Sequence, residues 1–173
     1  MKQQDILVRG AIVTVRAALI ANRLFLAAVG AGFVASWVVP GFFDRILLQA
    51  DPSTDLASAL TGVRLLILVG IVMAVATDRL LVALSAILAS AAQRDPFVHG
   101  NAARLMTIGW SLLTLQLLDV LCAGLAHYWA SLGSAAPRGD VSLGGWVATL
   151  MVFVLARAFA AGAVMRDDLE GTI

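Results

Sequence analysis

Four apolar stretches, near residues 19–39, 58–79, 103–126 and 143–164, decide the solvent in which this chain folds. Each approaches the about 20 residues that a helix needs to cross the hydrocarbon of a bilayer. All four prolines, Pro40, Pro52, Pro96 and Pro137, lie outside them. Backbone in lipid must satisfy its own hydrogen bonds, and a helix does so within one segment. The expected fold is all-α: a polytopic membrane four-helix bundle forming one domain over residues 1–173. It carries an amphipathic N-terminal arm (1–18) and an acidic tail (166–173). With 61% hydrophobic and 13% charged residues and a mean hydropathy of +0.93, the chain is unlike soluble domains, in which about 25% of residues are charged. A net charge of +1 gives no footing for direct nucleic-acid binding. The single cysteine, Cys122, lies in the third span, so no intrachain disulfide forms. No cleaved signal peptide is expected, because the first apolar run starts after four basic residues and outruns an ordinary signal core.

Basic residues sort by side. Lys2, Arg9, Arg16 and Arg23 in the arm, Arg79, Arg94 and Arg104 around the central loop, and Arg166 in the tail share one side; Arg45, Arg64 and Arg138 share the other. The positive-inside rule then puts both termini in the cytoplasm. Trp37, Tyr128, Trp129 and Trp146 fall near the outer interface, where amphipathic rings settle; Trp110 falls nearer the inner one.

In the arm, Lys2, Arg9, Arg16 and Arg23 are seven residues apart and form one slowly drifting helical stripe. Two readings stand: an in-plane helix gripping anionic lipid, or a cytoplasmic extension of the first span with snorkelling arginines. Ala28, Gly32 and Ser36 repeat every four residues, a face on which helices approach closely in lipid, here against a neighbour or a second copy in a homodimer. Residues 40–48 read as a short interfacial helix, followed by a turn in which Ser53, Thr54 or Asp55 caps the second span. Span two meets Asp78-Arg79 and then a further apolar run to Ala92, with no glycine or proline at the junction. The expectation is one long helix whose last turns leave the membrane. Pro96 ends it, Phe97 anchors at the interface, and Asn101 caps span three.

Ionisable groups inside spans are costly and mark candidate sites. Arg64 and Asp119 lie at similar depth, about 9 and 10 Å from the outer side. They are read either as an ion pair that fixes helix order or, with Gln116, as a polar pocket or ion path. Arg157 lies about 10 Å from the inner side and is expected to reach Asp78 or lipid phosphate. No cofactor and no metal is expected: His99 and His127 fall on opposite sides of the membrane, and no acidic pair, nucleophile elbow or phosphate loop is present. Enzyme chemistry is accordingly not expected.

The run Asp95-Pro96-Phe97, then Asn101, Arg104-Leu105 and Ile108-Gly109, is similar to a central G-x-P-F-x-x-x-N-x-x-R-L motif. The ending Arg166-Asp167-Asp168-Leu169-Glu170-Gly171-Thr172-Ile173 is similar to a C-terminal signature of the same family. On these residues and the four-span layout the chain resembles the bacterial family called domain of unknown function 2975. It departs from the pattern at Asp95, directly before Pro96, where the family carries a glycine two residues before the proline. The resemblance implies a multi-pass protein of the bacterial cytoplasmic membrane without assigned chemistry, often encoded beside a small helix-turn-helix repressor-like protein. Both motifs fall on the cytoplasmic side of the topology read from charge. The leading expectation is a membrane-embedded regulator that binds or sequesters that DNA-binding protein. Its cytoplasmic surface would comprise Asp95, Pro96, Phe97, Asn101, Arg104, Arg166, Asp167, Asp168, Leu169 and Glu170. The alternative is a small transporter, channel or membrane ligand-binder using Asp119, Gln116 and Arg64.

Overall fold

The computed structural model describes residues 2–39, 41, 43–44, 56–92, 99–131 and 142–170, with side chains described for 8–39, 41, 43–44, 56–92, 100–126 and 142–166. It is all-α. Four helices follow in order: α1 (Lys2–Val38), α2 (Leu56–Ala92), α3 (His99–Ser131) and α4 (Leu143–Glu170). No strand occurs among the described residues. Each helix contains a segment long and apolar enough to cross a membrane: Val8–Val38, Leu56–Ala92, Gly100–Ala126 and Leu143–Arg166.

α1 and α2 each run 37 residues without a break. At 1.5 Å per residue each is about 55 Å long. A hydrocarbon layer is about 30 Å thick, so both helices extend well beyond it. The arm and the first span are therefore one continuous helix, as in the extension reading, and no separate in-plane helix branches off. α2 passes through Asp78-Arg79 as helix, since neither residue breaks the backbone ladder. After α1 the chain turns at Gly41, whose φ of 74° lies in the left-handed region that a side chain disfavours. Most of the interfacial helix expected over 40–48, and all of the cap expected at 53–55, lie outside the described residues.

The chain divides into two compact units, one of residues 20–75 and one of residues 1–19 with 76–173. In the first, α1 and α2 run antiparallel. The Asn22 carboxamide donates to the Ala74 carbonyl at 3.0 Å, and the Arg64 guanidinium donates to the Ser36 carbonyl at 2.7 Å. In the second, α3 and α4 pack on each other.

The packing is small inside and large outside. Among the described residues the buried apolar set is Ala74, Ala76, Ala83, Ala156, Ala163 and one larger residue, Ile108. The buried polar set is Ser36, Ser90, Asn101, Ser111, Gln116 and Thr149. Large apolar side chains such as Leu24, Phe25, Leu68, Trp110, Leu121, Leu150 and Val154 are exposed. Water would penalise that exposed area, whereas lipid does not, and in lipid close backbone approach drives helix association. Two seams have a seven-residue period. Ala76, Ala83 and Ser90 are buried on α2, and Thr149, Ala156 and Ala163 on α4. A period of seven is that of left-handed supercoiled helix packing. The chain is thus built as a multi-pass membrane protein.

Two glycines let α3 and α4 meet. A Cβ on Gly109 would lie 2.8 Å from a ring carbon of Phe153, which itself stands edge-on to Trp110 at 5.5 Å between centroids. A Cβ on Gly145 would overlap the Gln116 carboxamide.

Candidate functional site

A buried polar clasp joins the end of α2 to the start of α3. Asn101 is only 1% exposed. Its Nδ2 donates to Ser90 Oγ at 2.9 Å, and the Ser90 hydroxyl lies 2.8 Å from the Ile87 carbonyl, to which it donates. On its other side Asn101 Oδ1 accepts from Arg104 Nη1 at 2.8 Å. The same Nη1 lies 3.4 Å from the Ala86 carbonyl. Arg104 donates to Asn101 and Asn101 to Ser90, while the Ser90 hydroxyl, 3.2 Å from Asn101 Oδ1, is shared between that oxygen and the α2 backbone. The Arg104 charge sits near the C-terminal end of α2, where the helix dipole favours a cation. This clasp brackets residues 93–98, which include Asp95, Pro96 and Phe97; those three lie outside the described residues.

Two expectations for Asn101 are corrected here. It does not cap α3, because the helix begins at His99 and the side chain reaches back to α2. Nor does it present a surface to a partner, because it is buried. Its acceptor and donor are both consumed in holding two helix ends together. Ser90, the other half of the clasp, drew no notice from sequence, since a lone serine in an apolar run carries no signal.

At the other end of α3, Gln116 Nε2 donates to the Ser142 carbonyl at 3.1 Å. Ser142 is the N-cap of α4: its Oγ accepts from the Gly145 N–H at 3.3 Å. Gly145 then accommodates the Gln116 carboxamide. Gln116 therefore fastens the start of α4 to α3.

Arg64 is engaged inside its own unit. Besides the Ser36 carbonyl, its guanidinium carbon lies 4.0 Å from the centroid of the Trp37 ring. Ser36 is in the last turn of α1, where carbonyls lack an intrahelical partner and where a cation complements the dipole. Arg64 is thus a cap supplied by a neighbouring helix. The long side chain carries the charge away from its own backbone level, which a depth reckoned from Cα positions overlooks. Ser36 is buried in this arrangement and Gly32 half-buried, so the Ala28/Gly32/Ser36 face is partly occupied within the chain. Arg64→Gln should lower stability by about 1–2 kcal/mol, and a double-mutant cycle with Trp37→Leu should return a coupling of about 1 kcal/mol. Zero coupling in that cycle would remove the stacking from the account.

The remaining candidates separate. Asp119 is half-buried on α3. Arg157 is exposed on α4 and makes no hydrogen bond or ion pair with any described residue, so the expected bond to Asp78 is absent. Arg9, Arg16 and Arg23 are all exposed on α1, while the Lys2 side chain lies outside the described set. Arg166 is exposed; α4 continues as helix through Asp167, Asp168, Leu169 and Glu170, whose side chains lie outside the described set.

A family model described as "Protein of unknown function (DUF2975)" matches residues 34–173. The chain belongs to the DUF2975 family. The DUF2975 match takes in the Ser90–Asn101–Arg104 clasp, the Gln116–Ser142 fastening, the Arg64 cap and the acidic end of α4. It begins at Val34, so the basic stripe at Lys2, Arg9, Arg16 and Arg23 lies outside it. No curated protein and no solved structure matches the chain.

Proposed function

We propose that this DUF2975 member is a regulator embedded in the bacterial cytoplasmic membrane, with both termini inside, that binds or sequesters a small helix-turn-helix DNA-binding protein. The carrying observation is the end of α4. Its last turn holds Asp167, Asp168 and Glu170 and no basic residue. Acids at a helix C-terminus oppose the dipole at a cost of about 0.3–1 kcal/mol each, where lysine or arginine would stabilise. A local rule broken at a helix end points to use. Following the last apolar turn, these acids suit a basic surface such as one that grips DNA phosphate.

Deleting residues 166–173 should abolish co-purification of a co-expressed regulator from membranes while lowering the helical content of the purified protein by no more than the last turns of α4 removed. Retained co-purification would exclude the tail as the contact.

A further inference from the structure

Arg157 is a cation inside an apolar helix segment. It lies within the apolar segment Leu143–Arg166, is exposed, and has no partner among the described residues. It stands about 21 Å along the helix from Leu143 and about 14 Å from Arg166. A hydrocarbon layer about 30 Å thick centred on that segment puts its backbone about 10 Å inside the nearer boundary. Helical side chains leave Cα tilted toward the N-terminus, which on α4 is toward the membrane centre. Snorkelling to the nearer headgroups therefore runs against the direction in which the side chain starts. The face of α4 between Arg157 and that boundary is thin: Ala160 and Ala161 are both exposed and lie within about one turn of it. Small exposed residues let another helix come close in lipid.

We propose that this face of α4 receives a transmembrane helix of a different protein, and that an aspartate or glutamate on that helix, about 10 Å inside the same boundary, supplies the counter-charge to Arg157. A second copy of this chain does not fit. Its Asp119 is about 10 Å along α3 from Ala126, at the opposite membrane boundary, and its Asp78 is already engaged. The required partner is thus an acidic membrane helix, independent of any soluble regulator at the α4 tail.

The test uses the full-length protein in phosphatidylcholine nanodiscs and a labelled polyleucine transmembrane peptide with one glutamate about 10 Å from its end, compared with the same peptide carrying glutamine. Energy transfer from labelled protein should show the glutamate peptide associating at least tenfold more tightly. Arg157→Lys should keep that preference and Arg157→Leu should abolish it. Equal association of the two peptides with the unaltered protein would overturn the proposal, and needs no variant to fold. So would a preference that survives Arg157→Leu. Loss of the preference when phosphatidylglycerol replaces phosphatidylcholine would also overturn it, by assigning the counter-charge to a lipid headgroup.

Discussion

Replacing Asn101 with leucine will lower the unfolding free energy of the detergent-solubilised protein by about 3 kcal/mol. The size comes from what is left behind rather than from the bonds removed. Hydrogen bonds between membrane helices are individually modest, near 0.6 kcal/mol on average. Orphaning a buried group is dearer, at about 1–3 kcal/mol and more for a charged one. Leucine at position 101 strips Ser90 Oγ of its donor and Arg104 Nη1 of its 2.8 Å acceptor at one stroke, in a site only 1% exposed. Asn101→Asp is the informative comparison. It keeps an oxygen for Arg104, now as a charge-assisted bond, and loses only the donor to Ser90, so its deficit should be about half as large. Unfolding by sodium dodecyl sulfate, followed by tryptophan fluorescence, measures both. A loss below about 0.5 kcal/mol for the leucine variant would mean that the clasp is decoration.

Gly109→Val should cost a similar amount, about 3 kcal/mol, by forcing α3 and α4 apart. Three ring carbons of Phe153 lie 2.8, 3.0 and 3.1 Å from where the new Cβ would stand. The ring cannot easily yield, because Trp110 meets it edge-on at an interplanar angle of 80°. Alanine is a weaker probe here. Glycine to alanine in a helix gains about 1 kcal/mol of propensity, which masks much of the clash. Valine brings the bulk and less of that gain. Adding Phe153→Leu should recover at least half of the deficit in a double-mutant cycle. A strictly additive cycle would show that the two residues do not press on each other.

Much of the architecture was legible because it depends on lengths and on large composition differences. The four apolar runs, the prolines outside them and the unbroken passage through Asp78-Arg79 all follow from rules that tertiary packing does not override. The seams did not announce themselves. In water the buried face of a helix is its most apolar face, and periodicity finds it. Here Leu150, Val154 and their like face outward while Thr149, Ala156 and Ala163 face inward, so apolar periodicity marks the wrong side. The signal that would have found the seams is the seven-residue recurrence of small residues at 76, 83 and 90 and at 149, 156 and 163. The motif singles out Asn101 and Arg104 without placing Asn101 in the interior, because a motif states which residues recur and not what they touch. Arg64, Gln116 and Asp119 were grouped by depth alone. Arg64 reaches the last turn of α1 and Gln116 the first turn of α4, contacts that depth does not foretell.

An interior assembled from alanine, serine and threonine reverses the usual map of mutational tolerance. Shortening side chains, the ordinary way to find a core, has almost nothing to delete along Ala76, Ala83, Ala156 and Ala163. Enlargement is the informative perturbation at these positions, since each added carbon widens the gap between helices that must touch. Over time such a chain should vary freely in the bulk it shows to the bilayer and hold still where it is smallest.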